Sequence, residues 1–228
     1  MSSLNVSIIV PVYNEAEQVH KLIRRLRVLK GDITDDIIIV DGGSSDDTDA
    51  RLSKEFKVIS SPKGRSLQMN AGAAHAKGTW LFFLHADTHI GPSHIQTAIL
   101  DAGRRSWGRF DVCFDDKRWP FKMIAWFMNM RSRLTGVATG DQCLFVRKKY
   151  FDQVGGFAPI ALMEDIELCK RLKQKAKPVC LHKKVTTSAR RWQHYGIWRT
   201  IFLMWKLRFF YWFGVKPDVL EKLYRAPK

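Results

Sequence analysis

One segment limits the choice of folds more than any other: an unbroken apolar run that ends in a carboxylate and enters a glycine-rich turn. The run is Ile37–Asp41, and it continues as Gly42-Gly43-Ser44-Ser45-Asp46-Asp47-Thr48. Unbroken runs of β-branched residues are typical of buried strands in parallel sheets. The glycines allow a sharp turn, and the pattern predicts a helix that begins near Asp47 with Ser45 or Asp46 as its cap.

The same arrangement occurs once earlier in the chain. Val6–Val12 is an apolar strand that ends in the polar residues Tyr13-Asn14-Glu15. Apolar residues then recur at helical spacing, at Leu22, Ile23, Leu26 and Leu29. Such an opening β-α-β unit implies parallel strands, a right-handed crossover and a sheet covered by helices.

Further strands and helices follow in alternation. We expect strands at 56–60, 80–84, 107–114, 140–146 and 184–188, and helices at 66–76, after Pro92, at 119–134 and at 162–172. This order predicts an α/β fold with a mostly parallel central sheet and helices on both faces.

Three of the predicted strands end in polar groups, and a parallel sheet brings such ends to one edge, where open α/β sheets bind ligands. Asp41 is therefore a candidate contact to a nucleobase or ribose, and a plain strand-to-helix turn is the alternative. The strand at 80–84 ends in His85-Ala86-Asp87. Asp87 is a candidate ligand for a divalent cation that also binds phosphate oxygens. His85 either adds a ligand or a hydrogen bond, or simply packs beside the strand.

The composition of the chain limits the kinds of partner and the cellular location that we expect. The chain has 228 residues and a formal net charge of +16, which implies an anionic partner such as nucleotide phosphates, an acidic membrane surface or nucleic acid. Its four cysteines contain no CxxC pair, so we expect reduced thiols and neither a zinc site nor a disulfide framework. The N-terminus has no charged segment followed by an apolar core and a cleavage site, so we expect a cytoplasmic protein.

Taken in order, these motifs resemble the family 2 glycosyltransferases of the A-type, Rossmann-like fold. The segments that carry the resemblance are 9–15, 40–48, 64–73, 139–142, 155–157 and 164–168. It covers residues 4–192. More narrowly, Leu84-His85-Ala86-Asp87-Thr88 and Thr187-Ser188-Ala189-Arg190-Arg191-Trp192 look like a small branch labelled radical-SAM/selenodomain-associated transferases, some of them assigned to arsenosugar biosynthesis.

The resemblance implies a role for each matching residue. Nucleotide contacts are implied for Pro11, Tyr13, Glu15, Asp41, Arg65, Asn70, His85 and Ala86. Asp87 matches the ligand of Mg²⁺ or Mn²⁺, and Asp165 matches the general base. Glu164 beside it either orients the acceptor or pairs with an arginine. Arg191 and Trp192 loosely match a motif that binds acceptor and pyrophosphate, with a surface arginine as the alternative.

One departure from the family pattern concerns the metal. The family usually carries Asp-x-Asp at the third strand end, and this chain has His85-Ala86-Asp87. The carboxylate expected to touch the metal is kept, and the first one is missing. Metal affinity and donor preference are the properties that this change affects.

The activity implied is an inverting transfer of a sugar from a nucleoside-diphosphate sugar, such as a UDP-sugar, to an acceptor hydroxyl on a small molecule or a lipid-linked molecule. A single carboxylate base and in-line attack imply inversion. The alternative is a catalytically silent basic module that binds nucleotides or membranes. That module would explain the charge and would not explain acidic residues at three strand ends and again at Glu164-Asp165. For the same reason we expect no nucleic-acid partner.

The C-terminal segment has a different pattern. We expect a catalytic domain over 1–192 and a helical extension over 193–228. In the extension, large apolar residues recur every three or four positions, at Ile197, Trp198, Ile201, Phe202, Trp205, Phe209 and Trp212. Arg199, Lys206 and Arg208 interrupt them, so the run does not suit a bilayer span. Packing of this stripe on the domain is the favoured expectation; a second subunit of a homodimer, or the inner face of a membrane, is the alternative.

Overall fold

The computed structural model describes residues 4–103 and 105–225. Its strands are β1 Val6–Val12, β2 Ile37–Asp41, β3 Lys57–Ser60, β4 Trp80–Phe83, β5 Trp107–Phe114, β6 Leu144–Arg147 and β7 Val179–Thr187. Its helices are α1 Val19–Asp32, α2 Thr48–Leu52, α3 Arg65–His75, α4 Pro92–Ala102, α5 Trp119–Thr135, α6 Lys148–Gln153, α7 Glu164–Lys175, α8 Arg190–Tyr195, α9 Ile197–Trp212 and α10 Pro217–Arg225.

The strands form one sheet in the order β3-β2-β1-β4-β6-β5-β7 within the described residues. β6 is antiparallel to both of its neighbours, and the other four pairings are parallel. Alternate residues of β1 pack into different cores, Ile8 and Val10 into one and Ile9 into the other. The sheet is thus covered on both faces, and the predicted mostly parallel α/β architecture is confirmed.

The predicted common edge is also confirmed. β1 pairs in parallel with β2 on one side and with β4 on the other. Val12 at the end of β1 lies opposite Asp41 at the end of β2. The segments that follow β1, β2 and β4 therefore leave the sheet at the same edge.

Several predicted boundaries shift. The strand expected at 140–146 is wrong at its start, because Gly140–Gln142 forms a 3₁₀ turn and Cys143 has a left-handed φ of 47°. α7 begins two residues later than predicted, because Met163 has a φ of 69° that a helix cannot contain. The predicted cap of α2 is wrong by one residue: Asp47 is the N-cap and makes no side-chain cap hydrogen bond, although an oxygen of Asp46 accepts the Thr48 N–H at 3.0 Å.

The C-terminal segment departs most from expectation. Packing of its aromatic stripe on the domain is wrong for five of the seven residues, which are exposed: Trp198, Phe202, Trp205, Phe209 and Trp212. Ile197 and Ile201 do pack against the main core, and Leu207 joins a small buried cluster with Met163 and Leu220. No helix in the described parts of the chain is both long enough and apolar enough to cross a bilayer. A boundary at residue 192 stays a prediction, and 226–228 of the extension lie outside the described residues.

Candidate active site

A cavity of about 890 Å³ opens at the carboxyl ends of β1 and β4. Its lining includes most of the residues predicted for the site: Pro11, Tyr13, Glu15, Arg65, His85, Ala86, Asp87, Glu164, Asp165, Arg191 and Trp192. Asp41 and Asn70 lie outside this lining. α9 and α10 also contribute, with Leu207, Arg208 and Tyr224 among others. The cavity is therefore closed on one side by strand ends and on the other by the C-terminal helices.

The loop after β1 is fastened to the loop after β2. The backbone N–H of Asn14 donates to the Ser44 hydroxyl at 2.9 Å, and the N–H of Ser45 donates to the Asn14 side chain at 2.9 Å. The N–H of Glu15 donates to the Thr48 hydroxyl at 2.8 Å. Asn14 adopts a left-handed φ of 51°, which asparagine tolerates better than most residues. These bonds fix where Tyr13 and Glu15 enter the cavity.

Asp41 organises the loop that follows it. Its carboxylate is buried and accepts the N–H groups of Gly43 at 2.9 Å and Ser44 at 2.8 Å, together with the Ser44 hydroxyl. Since Ser44 in turn accepts from Asn14, Asp41 supports the wall of the cavity from behind. Its predicted contact to a base stays a prediction.

Asn70 is likewise engaged by the backbone. Its amide donates to the Phe157 carbonyl at 2.8 Å and accepts the Phe157 N–H at 2.9 Å. A Cβ on Gly156, whose φ is 68°, would lie 2.7 Å from the Asn70 side-chain oxygen. Asn70 therefore holds the turn at 155–157 against α3.

His85, Asp87 and Asp141 form a candidate metal centre. One ligand atom from each lies within 4.8 Å of the others, and all three side chains are partly buried. His85 and Asp87 follow β4, whereas Asp141 comes from the 3₁₀ turn before β6. Asp141 thus brings a second carboxylate from a distant segment to a site whose local motif has only one.

Gly140 permits this convergence. A Cβ at Gly140 would lie 2.1 Å from two ring atoms of His85, a distance no side chain could occupy. The His85 ring can therefore reach the Asp141 carboxylate, with its Nδ1 atom 3.4 Å from the Asp141 Oδ1 atom. Close approach of this kind is a use to which glycine is suited.

The charges at this centre are unbalanced. Burial, and then the charge of Asp141, raise the pKa of Asp87 above its ordinary value. Burial also opposes ionisation of Asp141, but the hydrogen bond and charge of His85, with the charge of Arg65, outweigh it and lower its pKa. Two carboxylates that share a site disfavour each other's ionisation, and a cation relieves the repulsion. Two carboxylates and an imidazole are a donor set that fits a divalent ion such as Mn²⁺ or Mg²⁺.

The acidic pair at the start of α7 divides between two partners. An oxygen of Asp165 accepts the Gly140 N–H at 3.1 Å, which ties Asp165 to the turn that carries Asp141. Glu164 is 3% exposed, and its carboxylate lies 3.6 Å from the Arg65 guanidinium. Burial, and then the charge of Asp165, raise the pKa of Glu164. Of the two predicted roles for Glu164, the structure shows the arginine pair.

Two arginines that line the cavity, Arg190 and Arg208, and a third near Arg208, namely Arg131, were not predicted as site residues. Arg190 lies 3.5 Å from the Glu15 carboxylate, so it joins the segment after β7 to the loop after β1. Arg208 projects from α9 into the cavity, and burial lowers its pKa against the charges of Asp165 and Asp141. Burial, and then the charge of Arg208, lower the pKa of Arg131 on α5 to about 10. The Nε and Nη2 atoms of Arg131 are buried and lack a hydrogen-bond partner among the described residues.

Arg191 and Trp192 both reach the cavity, and each also has a structural contact. The Arg191 guanidinium lies 3.8 Å from the ring centre of Tyr224 and donates to the Tyr224 carbonyl at 3.4 Å. Trp192 packs edge-on against Phe114 at 5.8 Å between ring centres. Arg191 thus attaches α10 to the cavity wall.

Comparison with solved structures supports the same architecture. The chain is similar to the mannosyltransferase PcManGT of Pyrobaculum calidifontis, solved with GDP-Man and Mn²⁺, with a TM-score of 0.69 and 17% identity over 99% of this chain and 71% of that one. It is also similar to residues 1–349 of TarS of S. aureus, solved with UDP, with a TM-score of 0.64 and 18% identity over 80% of this chain and 60% of that one. These likenesses confirm the A-type glycosyltransferase fold.

Sequence comparison gives the family. The profile described as Glycosyl transferase family 2 matches residues 7–155, and the chain belongs to that family. A curated relative is the undecaprenyl-phosphate 4-deoxy-4-formamido-L-arabinose transferase of Pseudomonas fluorescens (strain Pf0-1), 29% identical over 160 residues that span 62% of this chain and 46% of the relative. The chain spans about half the length of the curated relatives it matches. The narrower resemblance to the radical-SAM/selenodomain-associated branch stays a prediction.

Proposed function

We propose that this protein transfers a sugar from a nucleoside-diphosphate sugar to an acceptor, with inversion at the anomeric carbon. One observation carries the proposal: the candidate metal centre and Asp165 meet in one cavity through a single turn. Gly140 in that turn approaches the His85 ring and donates its N–H to Asp165. A donor whose diphosphate lies at Asp87 would therefore present its sugar toward Asp165.

The donor half of the site is the strand-end side. Pro11, Tyr13, Glu15 and Ala86 are the proposed contacts to the nucleoside, and Asp41 and Asn70 act by shaping the loops behind them. Mg²⁺ or Mn²⁺ would be held by His85, Asp87 and Asp141, and when bound it stabilises the negative charge of the leaving diphosphate. The solved neighbours are complexes with UDP, and with GDP-Man and Mn²⁺, which supports this assignment.

Two arginines are suited to bind the negative charge of the donor diphosphate. Arg65 and Arg190 line the cavity, one facing Glu164 and the other facing Glu15. Guanidinium groups bind phosphate oxygens with strong, charge-assisted hydrogen bonds. We assign both to the donor diphosphate, where such cations favour departure of the leaving group.

Asp165 is the proposed general base. An acceptor hydroxyl loses its proton as it attacks the anomeric carbon, and a carboxylate within reach can accept that proton. Retention through a covalent glycosyl-enzyme intermediate would need a second carboxylate as nucleophile. Glu164, its neighbour, faces Arg65 and has a raised pKa, so it is poorly suited to that role.

A phosphate acceptor on a lipid is the second candidate, and a specific observation favours it. Arg208 and Arg131 are two partly buried cations, the charge of Arg208 helps to lower the pKa of Arg131, and both feel the charge of Asp165. An anion between them and the donor would relieve that repulsion. The curated relative is an undecaprenyl-phosphate sugar transferase, and this similarity supports a lipid phosphate as the acceptor. A phosphate oxygen is already ionised near neutral pH, since its second pKa is about 6, so it needs cations more than a base.

Calorimetric binding of UDP and GDP, with and without Mn²⁺, tests the donor site. We expect Mn²⁺ to strengthen nucleotide binding by the parent, and we expect Asp87→Ala and Asp141→Ala to remove that gain. Asp101→Ala, at an exposed position on α4, is the matched control. An undiminished Mn²⁺ effect in Asp87→Ala would contradict the site.

Two variants distinguish a hydroxyl acceptor from a phosphate acceptor. With a hydroxyl acceptor, Asp165→Asn takes the larger loss of turnover and Arg208→Gln the smaller. With a phosphate acceptor the order reverses, because the nucleophile no longer needs a base. The anomeric configuration of the product, read by NMR, decides whether transfer inverts.

The cytoplasmic location expected from the sequence stays a prediction.

A further inference from the structure

α9 presents a continuous stripe of aromatic side chains to solvent. The aromatic stripe consists of Trp198, Phe202, Trp205, Phe209 and Trp212, with exposed fractions of 59%, 65%, 62%, 56% and 77%. Spacings of four and three keep these side chains within an arc of about 80° on an α-helix. Monomeric soluble proteins rarely leave a contiguous apolar patch of this kind uncovered. We therefore expect another surface to cover the stripe.

The opposite face of the same helix is committed to the protein. Thr200 and Leu207 on that face are buried, and the cavity is lined by Leu207 together with Met204 and Arg208 on the adjoining flank. Whatever covers the stripe consequently lies one helix diameter from the catalytic cavity. The partner is brought close to the site without entering it.

The composition of the stripe and its borders favours a lipid surface. Three of the five residues are tryptophan, whose ring is enriched at the interface between water and hydrocarbon. Arg199 and Lys206 are exposed and follow stripe residues by one position, so they lie along one border of the stripe. Exposed aromatics bordered by basic residues are typical of helices that lie in the plane of a membrane interface.

The charge of the chain argues against a second copy as the partner. The formal net charge is +16, and a symmetric dimer through the stripe would also oppose Arg199 and Lys206 of both copies. Like charges at an interface weaken association, whereas an anionic surface attracts them. Charge complementarity thus selects an anionic bilayer over another molecule of this chain.

We propose that the aromatic stripe docks this protein on the surface of an anionic phospholipid bilayer, with α9 parallel to the membrane. Trp and Phe side chains then enter the headgroup region, and Arg199 and Lys206 meet lipid phosphates. Docking brings the cavity, through Arg208 on the flank of α9 away from Arg199 and Lys206, to the membrane surface. The proposal goes beyond sugar transfer, because docking requires neither donor nor metal.

Flotation of the full chain with vesicles tests the docking. We expect binding to phosphatidylcholine vesicles that contain phosphatidylglycerol, weaker binding to phosphatidylcholine alone, and loss of binding at high salt. Tryptophan fluorescence should shift to the blue on binding. The double variant Trp205→Ser/Phe209→Ser should reduce the partition coefficient by about tenfold or more, because it removes two buried aromatic groups from the lipid-bound state.

Two further variants separate the stripe from general effects. Val28→Ser/Leu100→Ser removes two exposed apolar side chains on α1 and α4, and it should bind vesicles like the parent. Arg199→Gln/Lys206→Gln should weaken binding to anionic vesicles and leave binding to neutral ones unchanged. Because this charge variant alters only exposed side chains, it tests the proposal even if the aromatic variant fails to fold.

Three outcomes would overturn the proposal. The parent could ignore anionic vesicles, or both stripe variants could bind as the parent does. Light scattering without lipid could instead show a dimer that Trp205→Ser/Phe209→Ser converts to a monomer, which would assign the stripe to a second copy. Nucleotide binding by calorimetry, measured on the same samples, reports on the donor site separately, so failure of one proposal is distinguishable from failure of the other.

Discussion

The two walls of the cavity are built by different means. The strand-end wall is made of short loops that leave adjacent parallel strands and are fastened to each other by hydrogen bonds involving the backbone, such as those between Asn14 and the loop at 44–45. The helical wall, formed by α7 to α10, contributes charged side chains from elements that meet only in the tertiary structure, such as Asp165 and Arg208. The geometry of the cavity is therefore fixed by hydrogen bonds between adjacent loops on one side and by the packing of helices on the other.

This difference suggests a division of labour. The hydrogen-bonded loops hold the proposed nucleotide contacts in fixed positions, whereas the helical wall carries the proposed base and the exposed aromatic stripe. The turn at 139–142 joins the two, since Asp141 faces His85 and Gly140 bonds Asp165. Variants in each wall and in this turn should accordingly affect different measurable steps.

The largest effect is expected in the helical wall, at Asp165. Asp165→Asn keeps the shape of the side chain and removes the proton acceptor, so turnover should fall by about 10²–10⁴-fold. Donor hydrolysis is a suitable assay, because water also loses a proton as it attacks. Donor affinity by calorimetry should change little. Asp152→Asn, at an exposed position on α6, is the control, and full hydrolysis by Asp165→Asn would remove the base from the mechanism.

The second effect concerns the turn between the walls. Gly140→Ala would drive a methyl group into the His85 ring, whose atoms lie 2.1 Å from the ideal Cβ position. We expect Mn²⁺ affinity to fall by about 10–100-fold, as when groups that orient metal ligands are disturbed. Titration calorimetry or Mn²⁺ electron paramagnetic resonance measures this directly.

Gly31→Ala is the matched control for that substitution, because a Cβ at Gly31 meets nothing within 4 Å. It should leave Mn²⁺ affinity unchanged. If Gly140→Ala also left it unchanged, His85 would not belong to the metal centre.

The third effect belongs to the strand-end wall. Asp41→Ala removes the acceptor for the N–H groups of Gly43 and Ser44, and the loop that positions Asn14 should loosen. Nucleotide affinity should fall by roughly three- to tenfold, equivalent to about 1 kcal/mol, with or without Mn²⁺. Asp49→Ala, at an exposed position on α2, is the control. Equal affinities for Asp41→Ala and the parent, measured by calorimetry, would leave Asp41 without a role in nucleotide binding.

How much the sequence reveals differs between the same two walls. Apolar runs and the polar groups after them are local signals, so β1, β2, β4 and the candidate ligand Asp87 could be predicted from pattern. Asp141 lies in a motif that the resemblance included, but its meeting with His85 depends on β6 entering the sheet antiparallel to β4. That pairing has no local signature.

The helical wall shows the limit more clearly. Periodicity correctly predicts that α9 is a helix with an aromatic stripe, but a stripe does not reveal whether anything covers it. The expectation of packing on the domain failed because Leu207, on the opposite face of α9, is the residue that is buried, and Arg208 lines the cavity from a flank. The direction in which a helix turns its faces is decided by the whole core and by the cavity.

The smallest effect is expected where the walls meet, at the pair formed by Glu164 and Arg65. Burial is the main cause of the raised pKa of Glu164, whose ordinary value is 4.5. The folded protein therefore binds this proton more tightly than the unfolded chain does. Its contribution to stability is present at low pH and is lost as pH rises through the interval between 4.5 and the higher folded pKa.

Glu164→Gln removes that dependence and keeps a hydrogen-bonding oxygen for Arg65. The melting temperature of Glu164→Gln, relative to the parent, should consequently become more favourable as pH rises from about 4.5 to neutral. Glu55→Gln should show the opposite trend at lower pH, because a hydrogen bond from Arg27 lowers the pKa of Glu55 from its ordinary value of 4.5. Relative to the parent, the melting temperature of this variant should become less favourable as pH rises toward about 4.5. If thermal unfolding showed no relative gain for Glu164→Gln between about pH 4.5 and neutral, Glu164 would not be kept from water. The contact between the two walls would then be looser than the 3.6 Å between Arg65 and Glu164 implies.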